Sequence, residues 1–128
     1  MKMLSIRSLP RIKPRISRFL LLEMKNAVLP RDYELSVAFV DTGVMREING
    51  KYRNKRYSTD ILSFPLSPCS GEIIFSMKDI EKRAPMVKRG TSNFLAFLFI
   101  HGLLHLKGYS HGSRMEREEE KIRRKFNI

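Results

Sequence analysis

The chain reads as an α+β protein, a small mixed β-sheet packed with helices around a central, buried apolar helix. Three observations lead there. Segments with the two-residue period of a half-buried strand recur between segments with helical spacing. One stretch, from Phe94 to Leu106, is apolar on nearly every helical face, which calls for burial on most sides. And 128 residues, of which 42% are hydrophobic, supply one sizeable core, so residues 1–128 are expected to form a single domain.

The elements follow in order. Met3 to Ser8 alternates loosely and predicts a first strand, ended by Pro10. Pro14 is placed to open a helix whose apolar positions are Ile16, Phe19, Leu20, Leu22, Met24 and Val28, with Pro30 as its stop. Tyr33 to Asp41 alternates and then turns continuously apolar, which predicts a strand near the sheet centre. Asp41 or Thr42 can cap a helix carrying Val44, Met45, Ile48 and Tyr52. Ile61 to Leu66 and Glu72 to Met77 read as two strands, and the short polar link between them predicts a hairpin of unspecified register. Lys78 to Arg89 is a basic stretch without an assigned element. Thr91 or Ser92 is expected to cap the apolar helix, which runs to about Lys107. A last helix spans about Gly112 to Phe126. Its acids (Glu116, Glu118, Glu119, Glu120) precede its bases, which suits the helix dipole, and the charge run is expected to be a solvated face.

Composition bounds the partners. Lysine and arginine number 25 against 13 acids, a formal charge of +12, and so basic a surface attracts polyanions, above all nucleic acid. Cys69 is the single cysteine, which rules out an intramolecular disulfide and a thiolate metal cluster. Phe19 to Leu22 is too short for a membrane span, so no membrane partner is expected. The first eighteen residues carry six bases and no acid, a composition shared by transit peptides and by the basic edge of a nucleic-acid-binding domain. The second reading is preferred, because the domain has few residues to discard, and a cytoplasmic location follows as the default.

All three histidines fall within eleven residues: His101, His105 and His111. At i and i+4, His101 and His105 share one helix face. Gly108 can end that helix in the left-handed conformation and let the chain return His111 as a third ligand. Three separate imidazoles in a core would each need their own partner, whereas one divalent ion satisfies all three. Three neutral ligands leave a coordination position open, the arrangement of catalytic rather than structural zinc. One Zn2+ per chain is the first choice, although nickel, cobalt and iron also bind imidazole. The spacing is that of the long zinc-protease motif, but Gly102 stands where the protease keeps its glutamate base, which argues against peptide hydrolysis.

A second constellation runs from Tyr52 to Pro65. Its basic residues with interleaved tyrosines can hold phosphates and stack bases, and equally can be the basic end of a helix. Together, His-Gly-Leu-Leu-His-Leu-Lys-Gly-Tyr-Ser-His (101–111) and Ser-Thr-Asp-Ile-Leu-Ser-Phe-Pro (58–65) resemble the YbeY family of endoribonucleases and rRNA maturation factors. Its hallmarks are an H-G-x-x-H-L-x-G-[YF]-x-H metal motif and an upstream P-T-D-V-L-S-F-P segment. Ile48 to Arg53 resembles the family's L-N-x-x-Y-R, and Gly71 to Ile74 its G-D-I strand, so the resemblance runs from about Val37 to the C-terminus. Ser110 stands where many members have Asp, Ser58 replaces Pro, Glu72 replaces Asp, and the link from Leu66 to Gly71 is short.

The resemblance implies a zinc site of three histidines and cleavage of single-stranded RNA. It further implies processing of the 3′ end of small-subunit 16S rRNA, ribosome quality control, and the small ribosomal subunit as partner. His105 and Arg53 are the expected catalytic residues, with Arg53, Lys55 and Arg56 binding substrate and His101, His105 and His111 binding metal. Arg53 suits a scissile phosphate because a guanidinium stays charged and grips two oxygens. No general base is evident from the residues, and attack by water and attack by the RNA 2′-hydroxyl both remain open. The alternative is a ribosome-associated RNA-binding assembly factor whose zinc is mainly structural.

Overall fold

The computed structural model describes residues 3–9, 12–13, 15–55 and 58–128. Four strands, β1 (Leu4–Ser8), β2 (Glu34–Val40), β3 (Ile61–Ser67) and β4 (Ser70–Ser76), form one sheet in the order β1-β2-β4-β3. β2 pairs in parallel with both β1 and β4, while β3 and β4 form an antiparallel hairpin with Ile61 opposite Phe75 and Ser63 opposite Ile73. The sheet is therefore mixed, with β2 inside it as its continuous apolar run predicts. Residues 4–8 belong to this sheet, and Arg18 donates to the Leu4 carbonyl at 2.8 Å, which ties the basic N-terminal segment to the fold.

Among the described residues, five α-helices accompany the sheet: α1 (Arg18–Val28), α2 (Thr42–Arg53), α3 (Met77–Arg83), α4 (Thr91–Lys107) and α5 (Ser113–Phe126). The strand period of two separates the two faces. Leu35, Val37 and Phe39 of β2 and Ile73 and Phe75 of β4 join the larger core with residues of α1 and α4. Val40 and Ile74 face the other way, onto a smaller cluster with Met45 of α2 and Leu62 of β3. Nine residues of α4 are buried, while His101 and His105 are half-buried and Lys107 is exposed, so one side of this helix opens onto a cleft.

Several local expectations shift. Pro14 lies outside the described residues, and α1 starts at Arg18 with the Ser17 hydroxyl accepting from the Leu20 N–H at 3.1 Å. Asp41 caps α2 through the Val44 N–H at 2.8 Å. The cap residue of α4 is Gly90 rather than Thr91 or Ser92, and no side chain bonds the helix end. The basic stretch from Lys78 to Arg89 holds α3 and a 3-10 turn, Ala84–Val87. Its charges hide a helical pattern, because only Met77, Ile80 and Ala84 are buried, at spacings of three and four. α3 anchors the segment before β3: Asp79 accepts from the hydroxyls of Ser58 and Ser76, and Arg83 pairs with the buried Asp60 carboxylate.

Candidate metal centre

His101 and His105 sit one turn apart on α4, whose register is held against β3 and β4. Gly102 lies between them against the sheet, where a β-carbon would stand 3.1 Å from the δ-methyls of both Ile61 and Ile73. Its carbonyl also accepts from Ser63 Oγ at 3.1 Å. A side chain at 102 would therefore crowd both isoleucines, at the wall where Gly102 itself lines the cleft. Gly108, at φ +111°, ends α4 in the conformation its side-chain-free backbone allows. The chain then turns and brings the exposed His111 back, with its ring centre 5.2 Å from His101 and 4.7 Å from His105. One ligand nitrogen from each histidine lies within 4.8 Å of the others, so the three can bind a metal ion.

The hydrogen bonds show which nitrogens are available. His101 Nδ1 stands 2.7 Å from Glu119 Oε1, and His105 Nδ1 stands 3.0 Å from the Tyr109 carbonyl oxygen. A carboxylate and a carbonyl only accept, so each Nδ1 carries its ring's proton. Both Nε2 atoms then present lone pairs to one another at 3.1 Å, a repulsive arrangement unless a cation joins them. Donor atoms around a tetrahedral zinc stand roughly 3.3 Å apart, given Zn–N bonds of about 2.0–2.1 Å. The donor set fits such an ion. Burial pushes the His105 imidazole below its ordinary value, and the neighbouring His101 and His111 rings add to this. The Tyr109 hydrogen bond and the Glu119 carboxylate oppose the shift, and the lowered state is the neutral form a metal requires.

Glu119 is the residue the sequence reading assigned to solvent. It is buried at 8% exposure, binds His101 through Oε1, and receives Arg123 Nη1 on Oε2 at 3.4 Å. A signal existed: Met115, Glu119, Ile122 and Phe126 follow the 4-3-4 spacing of one helical stripe, and a carboxylate on an apolar stripe needs a partner.

Arg53 lies at the end of α2 and lines the same cleft, of about 360 Å3, as Ser63, Phe64 and the three histidines. Lys55 is exposed and is not among the lining residues, and Arg56 lies outside the described residues. Ser110 is exposed beside His111. Glu72 points elsewhere, pairing with Arg7 at 3.0 Å.

Residues 5–127 match the family model described as Endoribonuclease YbeY. The chain belongs to the YbeY endoribonuclease family. Among its relatives is the Endoribonuclease YbeY of Helicobacter pylori, 37% identical over 123 residues that cover 90% of this chain and 87% of the relative. That of Nautilia profundicola is 35% identical over 104 residues, covering 76% and 75%. A solution structure of a Thermotoga maritima protein superposes with a TM-score of 0.66 at 26% identity, covering 94% of this chain and 86% of that one. The family match extends the resemblance seen from about Val37 back to the first strand. No helix among the described residues is long and apolar enough to cross a membrane.

Proposed function

We propose that the chain cleaves single-stranded RNA at a zinc centre held by His101, His105 and His111, with Arg53 binding the scissile phosphate. The observation that carries this reading is one open cleft shared by the three converging imidazoles and a guanidinium. A divalent ion held by His101, His105 and His111 would supply Lewis acidity and would lower the pKa of a bound water towards neutrality. The chain's own residues do the rest. Glu119 and the Tyr109 carbonyl hold two imidazoles in the tautomer that aims Nε2 into the cleft. Arg53 offers paired N–H donors to phosphate oxygens as their charge grows. The +12 chain draws in the polyanion and makes binding fall steeply with salt. Membership of the family supports a role in maturing the 3′ end of small-subunit 16S rRNA and in ribosome quality control, in the cytoplasm.

Metal analysis of the purified protein, with cleavage of a single-stranded RNA assayed before and after chelation, tests the proposal. About one zinc per chain is expected, and cleavage is lost on chelation and in His105→Ala and Arg53→Ala. Cleavage that survives in folded, metal-free protein overturns it. Unfolding on chelation, with no RNA cleavage by the loaded protein, supports the assembly-factor reading instead.

A further inference from the structure

Beside the cleft stands an aromatic pair, one ring of which is largely exposed and touches none of the histidines. Tyr52 sits at the helical spacing of the α2 apolar face, four residues after Ile48, yet it is 63% exposed. Its ring centre lies 5.6 Å from that of Phe64, with the planes inclined at 60°. Phe64 is half-buried on β3, packs onto the Leu62–Ile74 cluster, and lines the cleft beside Arg53 and the histidines. Lys51 Nζ stands 5.4 Å from the centre of the Tyr52 ring.

We propose that Tyr52, backed by Phe64, is the stacking platform for a base adjoining the phosphate held at Arg53. The inference rests on the RNA-cleavage reading of the cleft. An exposed aromatic ring braced by a second ring loses little freedom when a planar ligand covers it. Its occupant is a nucleobase rather than an apolar peptide side chain because of its surroundings. Residues 51–56 (Lys-Tyr-Arg-Asn-Lys-Arg) contain four bases and no acid, so a phosphate backbone is the natural companion of whatever covers the ring. Stacking uses the π-face that every base has, so the platform tolerates sequence. A base inside a duplex has both faces covered by its neighbours, so the platform also selects for unpaired RNA.

The test is binding of a short 2′-O-methyl oligoribonucleotide carrying 2-aminopurine, followed by fluorescence anisotropy and by quenching of the base. Parent, Tyr52→Ala, Tyr52→Phe and, as an exposed aromatic on α1 that does not line the cleft, Phe19→Ala are compared. The parent is expected to bind and to quench the probe. Tyr52→Ala should bind about tenfold more weakly and lose the quenching, while Tyr52→Phe and Phe19→Ala retain both. Binding and quenching by Tyr52→Ala equal to the parent overturns the platform while leaving the RNA reading intact. Failure of the parent to bind the oligomer overturns both, which separates the two failures. Because Tyr52 is exposed, the alanine variant is expected to fold, and retention of signal by Tyr52→Phe distinguishes loss of the ring from loss of structure.

Discussion

Glu119 Oε1 and His101 Nδ1 stand 2.7 Å apart, and through this contact the last helix reaches the metal ligands of α4. The carboxylate fixes the ring's tautomer, makes Nε2 a better donor and is itself held by Arg123 at 3.4 Å. Removing it should loosen the ion without unfolding the protein. In Glu119→Ala, zinc affinity measured by competition with a chromogenic chelator should fall by about 10- to 100-fold. Glu119→Gln, which can still accept the Nδ1 proton, should lose less. Equal affinities in all three proteins would show that the contact does not tune the ligand.

Restoring the glutamate of the protease motif should not create a protease. At 102 a β-carbon would stand 3.1 Å from the δ-methyls of Ile61 and Ile73, so in Gly102→Glu those side chains must shift and the carboxylate is crowded against an apolar wall of the cleft. A loss of about 2 kcal/mol or more is expected in chemical denaturation. A variant as stable as the parent that cleaves peptides would refute this account of the glycine.

Lys25 is buried on α1, its ammonium donating to the Arg31 carbonyl at 2.9 Å. Burial lowers its pKa below 10.5, with the Asp32 carboxylate pulling the other way. Between the lowered native value and 10.5 the unfolded chain holds a proton that the native chain does not, so stability rises with pH across that window. Below the window both states are protonated and the native state carries the full cost of burying the charge. Relative to Lys25→Met, which cannot titrate, the parent should therefore gain stability as pH is raised from neutral towards 10. Urea unfolding of both proteins at several pH values measures the difference, and a constant difference would refute it.

Gly71 lies on β4 where an added β-carbon would meet the Tyr33 hydroxyl and the Leu106 δ-carbons. That hydroxyl is buried with no hydrogen-bond partner among the described residues. Tyr33→Phe should be neutral or slightly stabilising, because it removes an unsatisfied polar group. Gly71→Ala should cost about 1–3 kcal/mol, and less in the Tyr33→Phe background, where the obstructing oxygen is gone. Strictly additive effects on the unfolding free energy would exclude the clash.

Much of this protein is legible in its linear order because the signals are local. Period-two runs located the strands, Asp41 and Gly108 marked real helix ends, and the i, i+4 pair with a third histidine past a glycine identified a set that can hold a metal. The mixed sheet with packed helices followed from the same periods. Where the reading fell short, the cause was either charge diluting a short apolar pattern or a neighbour far along the chain. α3 received no element because the two apolar residues it buries, Met77 and Ile80, are diluted by charge, and Tyr52, which has both an apolar helical spacing and a place in the basic stretch, could not be assigned to core or surface by spacing alone.

By itself, then, the sequence determined most of the elements, the basic character and the three histidines, since each depends on residues within a turn or two of one another. Only the tertiary structure decided which nitrogens of those histidines face the cleft, because that depends on partners eighteen residues away at Glu119 and one turn on at Tyr109. It also decided that Arg53, some fifty residues earlier on α2, lines the same cleft. Long-range neighbours are set by how the helices close over the sheet, and no local period encodes that packing.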